Sequence, residues 1–347
     1  MATQPKSRPA EMPGSQPNPV TIFEAINSFQ QTAAIKAAIE LGVFSAIGEG
    51  AHTAAEIAMR CQASERGIRI LCDFLTIHGL LNKEGAHYDN TVDTAAFLDK
   101  RSPAYMGGTI EFLLSPEAFQ RFHDLPTAVR NGGTPAGEND TTAPENPLWE
   151  RFARGMIGMI MPIAQATAQT VELPTDRESK VLDIAASHGM FGFSVAQRYP
   201  KAHIVALDWK NVLRITAEHA AQYGLAGRFS TIAGDALRVE FGQGYDLILL
   251  PNILHHFSAK KNEELLAKCH RSLNPGGFVA IVEFVPNDDR ITPPTSAAFS
   301  LTMLVGTPEG DAYTLSEYTE MLRNAGYSGV DHRPLSPLAH DVIIGRK

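Results

Sequence analysis

Residues 181–208, VLDIAASHGMFGFSVAQRYPKAHIVALD, decide how the rest of this chain is read. The apolar run 181–186 carries Asp183 inside it and leads into Ser187-His188-Gly189. A helical spacing follows at Phe191, Val195, Ala196 and Tyr199 and stops at Pro200. Residues 204–207 form a second buried strand closed by Asp208, which lies 19 residues after Gly189. Strand, turn, helix and strand in this order build an open parallel sheet, and ligands of such sheets lie beyond the carboxyl ends of the strands. A carboxylate closing the second strand can accept hydrogen bonds from both hydroxyls of a ribose. Against the G-x-G-x-x-G of a pyrophosphate site, the turn offers Ala185, Ser187 and Gly189, so one glycine remains. A ligand with a ribose but no phosphates tolerates that loss. The turn therefore points to S-adenosylmethionine ahead of NAD.

Outward from this unit, strand and helix patterns alternate. Strands are expected near 181–186, 203–208, 228–232, 245–250 and 277–284, and helices at 190–199, 211–223 and 260–273. A helix near 314–325 and a terminal strand at 341–345 close the series. Such alternation predicts a parallel sheet covered on both faces. Ahead of it, residues 131–147 are rich in Gly, Pro, Asn and Thr and read as a loop. Residues 149–168 read as a methionine-rich helix with Met156, Met159 and Met161, which Pro162 is expected to kink or restart.

The first hundred residues differ in character. Five prolines in 1–19 mark a disordered tail. From residue 22 apolar positions recur near a 3.6 period at Phe23, Ile26, Phe29, Ala33, Ile35, Ala38 and Ile39. Thr53-Ala-Ala-Glu56 is a capping box opening a short helix. A longer helix at 64–78 turns Ile68, Leu71, Cys72 and Leu75 inward, and a small hairpin follows from Leu80 to Tyr88. Short helices followed by a hairpin make a winged-helix unit. Residues 1–100 hold eight basic and eleven acidic side chains, which disfavours phosphate contact and so nucleic acid. The 22–44 segment is more apolar than a surface helix requires, which favours dimerisation.

The bulk figures fit this division. A chain of 347 residues exceeds one ordinary core, so two domains are expected. A net charge of −8 gives no basic footprint for nucleic acid. Cys61, Cys72 and Cys269 lack the spacing of a disulfide framework or a zinc site and suggest a reducing compartment. No apolar run reaches the roughly 18 residues that span a bilayer. A soluble cytoplasmic protein without membrane contact is the expectation.

Two strand ends carry the candidate chemistry. After the strand at 245–250 comes Pro251-Asn252-Ile253-Leu254-His255-His256-Phe257, and the strand at 277–283 ends in Glu283. Side by side, these ends would let Glu283 accept from one imidazole nitrogen while the other faces a substrate. A phenol with a pKa of about 10 is neutral at pH 7, and a histidine near neutrality is matched to take its proton.

DIAASHG resembles the D-x-G-x-G-x-G motif of class I S-adenosylmethionine-dependent methyltransferases, with Ala185 and Ser187 at the first two glycines. On that resemblance Asp183, Ala185 and Gly189 belong to the cofactor turn and Asp208 is the ribose acid. Asp235 and Ala236 of AGDAL approach the adenine amino group, Trp209 packs on the adenine, and Asn252 lies beside the cofactor. PNILHHFS is similar to the segment bearing the catalytic histidine in two-domain small-molecule O-methyltransferases of the caffeate, acetylserotonin, polyketide and hydroxyneurosporene type. The resemblance covers about residues 20–347. It implies His255 as base and Glu283 as its orienting acid. Adjacent histidines such as His255 and His256 rarely aim at one ion, so no metal is expected. Met156, Met159, Phe112, Phe299 and Met303 would line the acceptor pocket. The family's His-Asp-Trp is His255-His256-Phe257 here, a lysine four residues before the base is Pro251, and the second orienting acid is replaced by Ala312-Tyr313, with Asp311 out of register.

The expected fold is thus α/β, a Rossmann-like methyltransferase sheet with helices on both faces, preceded by an α-helical winged-helix dimerisation domain. Its parts are a tail at 1–19, a dimerisation domain at 20–100, a helical linker and pocket segment at 101–173, and a catalytic domain at 174–347. The expected activity is methyl transfer from S-adenosylmethionine to a phenol or enol of a secondary metabolite by a homodimer. Carbon or nitrogen methylation on the same fold, or binding of S-adenosylmethionine without transfer, are the alternatives.

Overall fold

The computed structural model describes residues 17–135, 141 and 143–347. The tail expected at 1–19 thus lies outside the described residues up to position 16. Chain contacts divide the protein into two units, 1–110 and 111–347.

The smaller unit runs α1 (Val20–Leu41), α2 (Val43–Gly48), α3 (Ala54–Cys61), α4 (Glu65–Ile77), β1 (Leu81–Glu84), β2 (His87–Asn90) and α5 (Val92–Phe97). The Thr53–Glu56 capping box forms in full and opens α3. Ser64 caps α4 through the main-chain N–H of Gly67. Ile57, Ile68, Cys72, Leu75 and Tyr88 pack with Ala38, Val43 and Phe44 into one core. That core uses only the end of α1. At its start, Phe23, Ile26 and Phe29 are 59%, 62% and 61% exposed. Three large apolar side chains one helical turn apart form a stripe that this unit leaves uncovered.

Helix α6 (Ile110–Leu113) begins at the division between the units, followed by α7 (Pro116–His123), α8 (Leu125–Asn131), α9 (Leu148–Gly155) and α10 (Ile157–Thr170). Pro162 does not restart a helix. The break falls at Met156, and α10 continues through the proline. Proline removes one N–H here, and burial of Ile160, Ile163, Ala164, Thr167 and Ala168 outweighs that loss.

The rest alternates as β3 (Ser179–Ile184), α11 (Met190–Arg198), β4 (Ala202–Asp208), α12 (Lys210–Gln222), β5 (Phe229–Ala233), β6 (Tyr245–Pro251), α13 (Ala259–Ser272), β7 (Leu273–Glu283), α14 (Pro294–Gly306), α15 (Leu315–Asn324), β8 (Gly329–Pro334) and β9 (Asp341–Arg346). The strands form one sheet in the order β5-β4-β3-β6-β7-β9-β8. Strands β3 to β7 are parallel, while β9 runs antiparallel to both β7 and β8. The wholly parallel sheet expected from the alternation is therefore corrected at this edge. No helix separates β8 from β9, so the chain turns straight back and pairs antiparallel.

Side chains alternate across the central strands, with one irregularity in β6 between Tyr245 and Leu247. Val181, Ile204, Leu247 and Leu249 pack under α10 and α11, while Leu182, Val205, Ile248 and Leu250 pack under α13 and α15. Burial on both faces is why these strands read as continuous apolar runs. No helix among the described residues is long and apolar enough to cross a membrane.

Candidate active site

Strand order reverses between β3 and β6, and a cavity of about 820 Å³ opens at the carboxyl ends around that point. Every parallel strand contributes to its wall: Ala185 to His188 after β3, Asp208 and Trp209 at the end of β4, Gly234 to Arg238 after β5, Pro251 to Ile253 and His255 to Phe257 at the end of β6, and Phe284 after β7. Helices α6, α9, α10 and α14 supply Phe112, Trp149, Phe152, Met156, Met159, Phe299 and Met303 on the opposing side.

The β3 turn keeps the backbone of a glycine-rich loop without its glycines. Ala185 and Ser187 hold φ of 56° and 50°, beside Gly189 at 83°. Left-handed residues with a Cβ cost roughly 1–2 kcal/mol each, so the turn needs anchors. Asp208 Oδ2 accepts from the Ser187 N–H at 2.8 Å, and Thr216 Oγ1 donates to the Ser187 carbonyl. Asp208 Oδ1 accepts from the Trp209 N–H at 2.7 Å. A carboxylate has about four lone-pair sites, so two remain for a ligand. Burial pushes the Asp208 carboxyl up to about 6.

Asp183 and Gly189 were expected against the ligand, and neither lines the cavity. Asp183 shares the face of Val181, beneath α11, where its Oδ2 accepts from the Gly192 N–H at 3.0 Å. A Cβ at Gly192 would come within 2.9 Å of that oxygen, so glycine permits the close approach. Both residues build the turn from behind. Burial pushes the Asp183 carboxyl up to about 7.

Ala185, Asp208, Trp209, Asp235, Ala236 and Asn252 do line the cavity. Asp235 Oδ1 accepts from the Leu237 N–H, which shapes the turn after β5, and its Oδ2 lies 3.3 Å from Arg238. Trp209 leans on Ala153, Val212 and Ile215. Asn252, itself at φ 53°, accepts through Oδ1 from His340 Nε2 at 2.9 Å. Ser187 Oγ is buried with no hydrogen-bond partner among the described residues. A partly occupied carboxylate, an orphaned hydroxyl and a backbone loop of glycine-like shape suit a ribose-bearing ligand and its attached polar chain.

At the neighbouring strand ends, His255 Nδ1 lies 2.5 Å from Glu283 Oε2. The other carboxylate oxygen accepts from the main-chain N–H groups of Leu254 and His255 at 2.9 and 3.3 Å. Burial pushes the Glu283 carboxyl up to about 8, and these two donors oppose that shift by favouring its charged form. The charged carboxylate accepts from Nδ1, which leaves Nε2 its lone pair. Burial holds the His255 imidazolium far below the ordinary histidine range. Phe299 meets the ring edge-on at 4.9 Å and stacks on Phe284 at 4.1 Å. Asp311 takes no part here, because it pairs with Arg290 at the surface, and Ala312 is buried. The brace of His255 is a single carboxylate.

His256 also lines the cavity, edge-on to Trp149 at 5.3 Å and 3.3 Å from Thr141 Oγ1 through Nδ1. Met161 turns away into the core instead of lining the cavity, while Met156 and Met159 face it. Sequence reasoning missed His188, Phe152, Phe284 and His340 as parts of the wall. His188 stood in the motif in plain view. His340 meets Asn252 across 88 positions of chain, which no local pattern encodes. Among the described residues no group of three or more His, Cys, Asp or Glu side chains could hold a metal ion.

Comparison with known proteins gives a consistent picture. Residues 136–328 match the model of the O-methyltransferase domain, and residues 23–100 that of the O-methyltransferase dimerisation domain. The chain is 31% identical to 3-hydroxy-5-methyl-1-naphthoate 3-O-methyltransferase of Streptomyces sahachiroi, covering 95% of each protein. A solved Nostoc punctiforme structure classed as an O-methyltransferase is 47% identical with a TM-score of 0.91, over 96% of this chain and all of that one. Human N-acetylserotonin methyltransferase, solved with S-adenosylmethionine, shares the fold at a TM-score of 0.81 and 23% identity, over 97% and 99% of the two chains.

Proposed function

The chain belongs to the S-adenosylmethionine-dependent O-methyltransferases, and from that premise we propose that it methylates a phenolic or enolic hydroxyl of an apolar, ring-bearing small molecule, with His255 as general base. The observation that carries this reading is the 2.5 Å hydrogen bond between His255, in the cavity wall, and Glu283, buried behind it. S-adenosylmethionine, when bound, supplies a methyl group already activated on a sulfonium. What is left to the protein is to align the acceptor oxygen with that methyl and to remove the hydroxyl proton. With the methyl donor bound, His255 Nε2 would take the hydroxyl proton, and the sulfonium would supply the methyl to the oxygen, its sulfur keeping the bonding pair. Glu283 stabilises the imidazolium that forms, as the carboxylate of a hydrolase triad does.

Asp208 would hold the ribose, Asp235 and Ala236 the adenine edge, and the 185–189 turn the amino-acid end. Phe112, Met156, Met159, Phe299 and Met303 would bracket the acceptor ring. A neutral amine attacks without prior deprotonation, so nitrogen methylation would leave the buried dyad without a task. The test is a matched pair. With 1-naphthol and 1-naphthylamine at equal concentration, the methyl should appear on the naphthol, and transfer to the amine alone would overturn the reading.

The ionisation of Asp208 sets a pH dependence. Ribose hydroxyls donate to the carboxylate, so binding favours the charged form and lowers its pKa. Affinity for S-adenosylhomocysteine should be full above the raised value of about 6 and fall as pH drops through it. Calorimetric titration across pH 5 to 8 reads this, and a flat profile would exclude Asp208 as the ribose contact.

The N-terminal dimerisation domain and the exposed stripe of Phe23, Ile26 and Phe29 support a homodimer built on α1. The double substitution Phe23→Glu and Phe29→Glu should halve the mass in sedimentation equilibrium, and an unchanged mass would place the interface elsewhere. The three free thiols suit a reducing, cytoplasmic setting.

A further inference from the structure

Four histidines line the cavity, and their hydrogen bonds fix where each proton sits. His255 Nδ1 donates to Glu283. Thr141 gives its only hydroxyl proton to the Gly306 carbonyl at 2.9 Å, so His256 Nδ1 must donate to Thr141 Oγ1. His340 Nε2 donates to Asn252. In each of these neutral rings the second nitrogen carries a lone pair.

His188 is wired the opposite way. The Met190 main-chain N–H donates to its Nδ1 at 3.1 Å, which places the ring proton on Nε2. Burial pushes its imidazolium down to about 3, so the ring is neutral at pH 7. The ring cannot easily turn to hide that proton. It stacks on Phe152 at 5.7 Å and 21°, and the His188 carbonyl is held by His219 Nδ1 at 3.0 Å. Yet Nε2 is buried with no hydrogen-bond partner among the described residues, in a residue 2% exposed that lines the cavity. A buried N–H without an acceptor is costly, and native proteins keep few of them.

We propose that His188 is a ligand-binding residue whose Nε2–H donates to a carboxylate or carbonyl oxygen of a molecule in the cavity. It stands where the cofactor turn meets the aromatic wall of Phe112, Trp149 and Phe152. That oxygen has two possible sources: the amino-acid carboxylate of the cofactor, or an oxygen beside the acceptor ring. The choice between sources rests on the function proposed above, whereas the donor itself does not.

The test uses the full-length protein with His188→Phe, which keeps the stacking and removes the donor, and His188→Gln, which keeps an N–H near Nε2. Each is titrated with S-adenosylhomocysteine and with 5′-methylthioadenosine, which lacks the amino acid. Each is also titrated with 3-hydroxy-2-naphthoate and with 2-naphthol, which lacks the carboxylate. A loss of about tenfold for the Phe variant on one carboxylate ligand, its truncated partner unchanged and Gln restoring most of it, supports the proposal and names the source. Should the Phe substitution fail to fold, His188→Asn retains an acceptor for Met190 without reaching Nε2, and the same loss is expected. Unchanged affinity for both carboxylate ligands, or equal losses for the truncated ones, would overturn the proposal while leaving the methyltransferase reading intact. Wild-type protein that binds neither nucleoside but loses naphthoate affinity on substitution would contradict that reading and leave the His188 donor standing.

Discussion

Replacing His255 with glutamine should lower turnover by about 10² to 10⁴ while S-adenosylmethionine affinity stays nearly unchanged. The argument rests on the division of labour in the cavity. His255 is held at the carboxyl end of β6 by Glu283 from β7, and in the proposed reaction its remaining ring nitrogen is the base. Glutamine fills similar space but cannot accept and hold a proton. The cofactor contacts assigned to Asp208 and the β3 turn are untouched by the change, which is why affinity should not follow turnover. Steady-state kinetics with a hydroxynaphthalene acceptor, paired with calorimetry, separates the two. Glu283→Gln should reproduce much of the loss, because an amide no longer favours the tautomer with Nδ1 protonated. Turnover that survives both substitutions would mean that alignment alone drives the reaction and that His255 has no role as base.

Replacing Asp208 with alanine should weaken S-adenosylmethionine binding by about a hundredfold or more. Two effects combine in this one side chain. Its oxygens hold the N–H groups of Ser187 and Trp209, which pins the left-handed residues of the β3 turn. Its remaining lone pairs would be offered to the ribose in the proposed binding mode, and hydrogen bonds to a charged acceptor contribute about 1.5–3 kcal/mol each. Asp208→Asn divides the two effects. The amide oxygen can still take one main-chain N–H, so the turn should persist and the melting temperature should stay near that of the parent, while most of the affinity is lost. Near-normal binding by both variants would remove Asp208 from the site.

Much of this architecture is legible in the chain because burial on both faces writes the parallel strands as apolar runs. β3, β4, β5, β6 and β7 each lie within a few residues of their expected positions. Their carboxyl ends then place Asp208, Asp235, His255 and Glu283 on one rim without further information. The misses share a cause, the absence of a repeating pattern. β8 reads GVDHRP and is only half-buried along most of its length, so no alternation marks it. Helix α14 is apolar on several sides and opens with Pro294, so no amphipathic stripe marks it, and only Phe299 and Met303 were singled out there, as pocket residues. Asp183 was placed at the ligand because its motif position suggested it, whereas the parity of β3 turns its side chain under α11. His188 was passed over for the reverse reason. Its chemistry lies in a bond to the main chain of Met190, and no side-chain pattern announces such a bond.

The most direct test of the account is to supply S-adenosylmethionine labelled with ¹³C at its methyl group, together with hydroxynaphthalene acceptors, and to locate the label by NMR. The account predicts a methoxy signal that grows with the wild-type protein and is nearly absent with His255→Gln. A label found on carbon, or no transfer to any hydroxyl by protein that binds the cofactor, would contradict it.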